Sequence, residues 1–585
     1  MRNLTAGVAA CLAMLCAPGH AGIDEKAIGE AIAMRERGEF DKATNAFRSY
    51  IEQSSATLDQ SERRMVEFEI ERIRRIRMDY KLTREKLLED FKKKVPDFKP
   101  EELDQFERDG MLDALLIDGQ KFYVGSSVSN LLFRVPELQA RRPNFKPDGT
   151  LRKLYGAMLR VKEAQKLSPD ALLLPQDFQV TFTLTVNANA APAGKVLRCW
   201  LPFVRAFPFQ TDAYILGTEP ANCTVAPPEA AHRTLYLEKA AEKDKPTVFQ
   251  ARYIYRAWAR ATNIDPSKVT PYPKDSPLAY YAAERKPHLD LGNELLKKLN
   301  AEIVGGETNP YLIARRIHEW MGKNLVYQYA REYSTLDNIS FYTASRRAGD
   351  CGQHGMLFIA LCRLNGIPAR WQSGWESFEA KGNNMHDWTE FYVEPYGWLP
   401  ADTDMAINVL RHNNGDLDTT QAQELADWLL GNMDHFRLAT NSDYGAPLFP
   451  SKNDFRSETV DFQRGEVEFD DSNLYFDQWD YKMEIAPIPQ EEAADYARRF
   501  VPAPVVIPPS ESKPVDEPTT QTATKDEATS ATTEKVAETS PVLTVNPEPK
   551  TSPDNASTST TESGKLAQAD ESTSSTADGA TTATK

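Results

Sequence analysis

Hydrophobic and polar positions change their period several times along this chain, and each change marks a candidate boundary. Residues 22–150 are rich in Ala, Glu, Arg, Lys and Leu at helical spacing. Ala27 to Tyr50, with Gly38 at its centre and Phe40, Ala43 and Phe47 following, predicts a helical hairpin whose period does not recur. Arg63 to Lys94 alternates charges around Met65, Phe68, Ile70, Ile73 and Ile76, as one long amphipathic helix would. The period then drops to two: Val180, Phe182, Leu184 and Val186 alternate with polar residues, and short strand-like runs follow at 196–202, 234–237 and 249–255. Residues 170–265 are therefore expected to be an antiparallel β domain. A connector with Pro271, Pro273, Pro277 and Pro287 leads to a third unit over 290–410. Its continuous apolar run Met356 to Leu364 predicts a short buried helix, with Asp350 as N-cap, Cys351 as first residue, Asn365-Gly366 as stop and Pro368 beyond.

Residues 384–393 and 397–402 read as two short strands around a Pro/Gly turn. Pairing Val393 with Gly397 places Asp402 opposite Trp388 and diagonal to His386, about 7 Å apart at the β-carbons. The span 411–500 reads as a helix over 421–433 and strand-like aromatic and acidic sequence over 444–485, a C-terminal extension of the third unit. From 504 to 585 Ser, Thr, Pro, Glu, Lys and Ala dominate, and this tail is expected to be disordered because it cannot bury enough apolar surface to fold. The fold class is α+β.

At 585 residues and 41% hydrophobic composition the chain can build several cores. A net charge of −16 without a basic motif excludes nucleic acid as a partner class. Residues 1–21 combine Arg2, an apolar stretch from Leu4 to Leu15 and a small-residue exit at Ala21, the pattern of a signal peptide. No later run reaches the length of a transmembrane span. A periplasmic or secreted protein is expected, with a cell-envelope component as one partner class. Val8-Ala9-Ala10-Cys11 resembles a lipoprotein box, but the apolar core before it is very short, which disfavours an outer-membrane lipoprotein.

The chemistry concentrates in Gly349-Asp350-Cys351-Gly352. A cysteine at a helix N-terminus sits in partial positive charge, which favours thiolate. Cys351, His386 and Asp402 then offer a nucleophile, a base and a group that orients the base. These pieces resemble the transglutaminase-like superfamily of papain-type cysteine enzymes: the Gly-Asp-Cys-Gly turn, the helix exit and strand from Leu361 to Arg370, His386-x-Trp388-x-Glu390, and Gly397-Trp398 leading to Asp402. Ala314 to Trp320 and Asn324 to Tyr327 resemble the segments preceding the nucleophile in bacterial members. Thr403-Asp404 departs from the family, where many members have Pro-Thr. The resemblance implies a buried nucleophile helix packed on an antiparallel sheet, with Cys351, His386 and Asp402 catalytic.

Four cysteines follow the signal segment. Cys351 and Cys362 lie 11 residues apart on one helix. That is about 16 Å between α-carbons, too far for a disulfide. Cys199 and Cys223 are candidates for a bridge. His354 is expected to pack or hydrogen-bond within its helix, Trp388 to shield the site, and Glu390 to pair with an arginine. The other histidines show no ligand spacing, so neither metal nor cofactor is expected. The expected activity is cleavage of protein or peptide amides through a thioester, with hydrolysis favoured over crosslinking. The alternative is an exported binding or scaffold protein that keeps the fold without its chemistry.

Overall fold

A computed structural model describes residues 24–500, apart from 144, 148, 169 and 379–381, together with residues 543–544. The expected signal segment and almost all of the 504–585 tail therefore lie outside the described residues. Within that tail Leu543 and Thr544 pair antiparallel with Cys223 and Asn222.

The first unit begins with the helical hairpin Glu25–Glu36 and Phe40–Gln53. Gly38 turns the chain at φ +78, and a β-carbon there would stand 1.8 Å from the Leu116 carbonyl oxygen. The long amphipathic run does not continue to Lys94. α1 (Gln60–Asp79) stops, Tyr80–Leu82 forms a strand, and Thr83 caps a new helix over Arg84–Lys94. That strand joins Ala114–Ile117 and Gln120–Val124 in a three-stranded sheet within the helical unit. The sheet's hairpin turns at Asp118-Gly119, both at positive φ. An Asp-Gly pair between apolar runs is the signal that could have found it. α2 (Ser127–Arg134) follows, and Thr150–Leu167 leads out of the unit.

The β domain is two packed sheets. β1 (Leu172–Val186), β2 (Val196–Pro202), β3 (Gln210–Glu219), β4 (Thr234–Ala240) and β5 (Thr247–Arg260) bury alternate residues between them, including Phe178, Phe182, Leu197, Leu237 and Tyr253. Cys199 on β2 and Cys223 are separate buried thiols. Cys199 stands opposite Leu237 and Thr224 opposite Tyr236, so the two cysteines flank one intervening strand. Two strand spacings are about 9.6 Å, beyond the reach of a disulfide.

In the third unit α3 (Pro310–Asn324) and α4 (Cys351–Leu364) pack against an antiparallel sheet of β6 (Ala369–Phe378), β7 (Gly382–Val393), β8 (Gly397–Ala401) and β9 (Arg437–Asn441), in the order β8-β7-β6-β9. The hairpin register pairs Val393 with Gly397 and Thr389 with Ala401. Helix α5 (Thr403–Arg411) follows β8 directly. Met356 to Cys362 are fully buried and join Trp371, Phe391 and Leu399 in one core.

The span 411–500 serves two units rather than extending one. β9 completes the core sheet, whereas Glu466–Phe469 pairs with β2 and Trp479–Ile488 pairs with residues 177–186 of β1. The reason is the alternation Trp479, Met483, Ile485, whose apolar side enters the β-domain core.

Candidate active site

Asp350 caps α4 through a capping box: its carboxylate accepts the Gln353 N–H at 3.0 Å, and the Gln353 side-chain oxygen accepts the Asp350 N–H at 3.3 Å. Tyr333 donates to the same carboxylate at 2.8 Å. Burial outweighs these donors and pushes Asp350 up to about 6. Cys351 opens the helix and keeps partial exposure, while every following residue through Arg363 is buried. Gly352 is what lets the helix end seat. A β-carbon there would lie 2.1 Å from the Tyr333 hydroxyl, 2.7 Å from Asp387 Oδ2 and 2.8 Å from the Trp371 ring.

The Cys351 thiol donates to Asp387 Oδ2 at 3.6 Å. The other Asp387 oxygen accepts from Gln463 Nε2 at 3.1 Å, and the same amide donates to the carbonyls of Gly374 and His386. Burial, then Asp387, Asp350 and Asp404, push the thiol well above its ordinary value. The thiolate expected from the helix terminus, where the dipole is worth about 1 kcal/mol, is therefore opposed in this geometry first by burial and then by three carboxylates.

His386 lies on the neighbouring position of β7. Its Nε2 stands 2.9 Å from Asp402 Oδ2, the diagonal contact the register requires. Asp402 also accepts from Arg437 Nη1 at 2.7 Å and from the Met405 N–H at 3.0 Å, so it caps α5 while it holds the imidazole. Arg437 is itself fixed by Asp434 at 3.0 Å. Burial alone would lower His386, but Asp402 and Glu376 overcome it and raise it to about 9. Burial would raise Asp402, but His386 and Arg437 hold it well below the usual carboxylate range. The pair rests as imidazolium and carboxylate, with the His386 ring stacked on Trp388 at 6.0 Å between centroids.

The structure thus brings His386 to Asp402 and gives Cys351 a different partner. Alternation along β7 sends Asp387 and Phe391 toward α4, and His386, Trp388 and Glu390 to the other side. Trp388 accordingly packs with Phe207 and Met433. Glu390 pairs with Arg260 at 2.5 Å and Arg370 at 2.7 Å. His354 contacts Asp404 through Nδ1 at 2.7 Å, and its Nε2 is buried without a hydrogen-bond partner. Three contributors escaped the sequence reading. Asp387 hides inside the His-x-Trp motif as its variable position. Arg437 and Gln463 lie beyond the expected core boundary at 410, and no local pattern links them to it.

Residues 297–403 match the core of the transglutaminase-like superfamily. That segment carries a transglutaminase-like core. An uncharacterized protein of Haemophilus influenzae is 27% identical over 190 residues, covering 28% of this chain and 50% of the relative. The chain therefore spans half the length of that relative. Among solved structures, a candidate cysteine protease from Cytophaga hutchinsonii aligns with TM-score 0.36 and 15% identity over 55% of this chain and 93% of its own. The periplasmic domain of TgpA from Pseudomonas aeruginosa aligns with TM-score 0.23 and 13% identity over 46% of this chain and 96% of its own.

In this transglutaminase-like core the thiol and the first-turn amides of α4 lie on one side of β7, and the imidazolium–carboxylate pair lies on the other. Among the described residues no group of three or more His, Cys, Asp or Glu could hold a metal ion, and no helix is long and apolar enough to cross a membrane.

Proposed function

We propose that this protein is an exported cysteine enzyme that opens protein or peptide amide bonds through a thioester on Cys351. The observation that carries this reading is the buried His386–Asp402 pair, held at 2.9 Å on the strand position next to Asp387, which accepts on the opposite side of β7 from Cys351, the one partly exposed cysteine among the described residues. The sulfur sheds its proton to solvent as its contact with Asp387 breaks and attacks the amide carbonyl carbon, and the C–N bond breaks as the His386 imidazolium gives its proton to the leaving amine. An imidazole raised to about 9 is charged at neutral pH, the state that a general acid needs. Asp402, locked by Arg437 and the Met405 N–H, stays ionised and keeps the ring oriented. The amides of Cys351 and Gly352, which have no acceptor within the helix, would hold the oxyanion. Water then attacks the thioester carbon as neutral His386 takes its proton, the C–S bond breaks to release the acid, and the departing thiolate regains a proton from solvent. Hydrolysis is preferred to transfer onto an amine because bacterial proteins of this resemblance are often hydrolytic.

The test is mass spectrometry of cell-envelope peptides incubated with wild-type protein, Cys351→Ala and His386→Ala, scoring hydrolysed, deamidated and crosslinked products separately. Wild type should yield hydrolysed products, Cys351→Ala none, and His386→Ala about 10²–10⁴-fold less. Equal product from all three proteins sinks the reading. Export rests on the 1–21 segment, and terminal sequencing of the mature protein should find a start near Gly22.

A second reading is supported by the hydrogen bond from Cys351 to Asp387 rather than to His386: a binding or scaffold protein whose thiol is held silent. Absence of any Cys351-dependent product across the same peptides would favour it.

A further inference from the structure

Asp387 is a buried carboxylate on the face of β7 that otherwise presents Thr389 and Phe391 to the nucleophile helix. Nothing about a strand requires it there, and a buried charge is normally paired. Glu390, three positions on, is held by two arginines. Asp387, by contrast, forms no ion pair with Arg or Lys among the described residues. Its hydrogen-bond donors include the Cys351 thiol at 3.6 Å and the Gln463 amide at 3.1 Å, and the Ser373 hydroxyl stands beside it on β6. Gly352 and the Trp371 ring close tightly around the same oxygen that takes the thiol.

We infer that Asp387 is a positioning residue for Cys351: by accepting the thiol's hydrogen bond it keeps the sulfur protonated and turned toward the helix side of β7, so the nucleophile is freed only when this contact breaks. The inference rests on Cys351 being the nucleophile. The groups that surround the sulfur act in the same direction. Asp350 stands at the helix cap, Asp404 on α5, and the phenols of Tyr327 and Tyr333 on the preceding segments, while Asp461 lies behind Asp387. Two imidazoles flank the cluster, His386 across the strand and His354 one turn along α4, the latter engaged by Asp404. Acids therefore outnumber bases around the thiol, and Asp387 is the one in contact with it.

The test is alkylation of the full-length protein by iodoacetamide across pH, with the Cys351 peptide quantified by mass spectrometry and the buried Cys199, Cys223 and Cys362 as internal references. In wild type the midpoint should lie above the ordinary thiol value of about 8.5. Asp387→Asn keeps the shape, removes the charge and supplies an amide donor, so the midpoint should fall by at least about one unit and labelling at neutral pH should rise about tenfold or more. An unchanged or raised midpoint in Asp387→Asn overturns the inference. So does a wild-type midpoint at or below about 8.5, a measurement that needs no variant to fold. His386→Ala separates the two questions: full product formation by that variant defeats the catalytic reading, whereas the role of Asp387 stands or falls on the midpoint alone.

Discussion

In the proposed reaction the proton given to the leaving amine sits on His386, and Asp402 sets the pH at which it is lost. With the imidazole raised to about 9 and the thiol held protonated beside Asp387, product formation should climb with pH out of neutrality as thiolate forms and decline at alkaline pH once the imidazolium is lost. Asp402→Asn removes the largest of the influences that raise the imidazole and leaves burial, which lowers it. The alkaline decline should therefore move to lower pH, and the maximal rate should fall by about 10²–10⁴-fold. A pH–rate profile of the two proteins checks both. Loss of rate with the alkaline limb in place would mean that Asp402 acts only through packing.

At the scale of elements, β9 is the strand on which the acid depends. It joins the core sheet beside β6, where Gly374 faces Ala439. A β-carbon on Gly374 would stand 1.8 Å from the Leu438 carbonyl oxygen, a backbone atom that cannot swing aside. Gly374→Ala should force β9 away, draw Arg437 off Asp402 and cost about 1–3 kcal/mol, read as a lower melting temperature together with weaker product formation. Much of this architecture was legible in the sequence. Asp350, Asn365-Gly366 and Pro368 mark the limits of α4 because caps and stops are local chemistry, and the turn at Glu394-Pro395-Tyr396 sets the β7–β8 register that joins His386 to Asp402. What escaped depends on partners distant in sequence. The break at Tyr80 follows from pairing with residues 123–124, and the thiol's high pKa comes first from burial and then from carboxylates on three different elements. Helix-end polarity is visible in a sequence, but the acids that overrule it are not.

Across the whole molecule, the helical unit grips the stretch that leads into the nucleophile turn. Asn130 exchanges two hydrogen bonds with the Tyr329 backbone, at 2.8 and 3.1 Å. Asp79 accepts the Glu332 N–H at 3.2 Å, and Tyr80 and Tyr342 share Asp113. Arg35 and Arg72 both reach Asp337. Between these grips lies Tyr333, whose hydroxyl bonds Asp350. Asp337→Ala should cost about 1–3 kcal/mol through lost charged hydrogen bonds and should speed proteolytic nicking between residues 324 and 339. Unchanged melting and unchanged cleavage would show that the helical unit merely abuts the core.

The return of the chain after residue 410 has a practical corollary. Gln463 ties Asp387, the His386 backbone and Gly374 together with one amide, only three residues before the polypeptide re-enters the β domain at Glu466. The reacting groups are thus sewn to a neighbouring module by their own downstream sequence. An expression clone trimmed to the recognisable homology region would lose both the guanidinium behind Asp402 and that amide, so a silent fragment would say nothing about the intact protein. Transplanting this chemistry into another host chain would require moving the β sandwich with it.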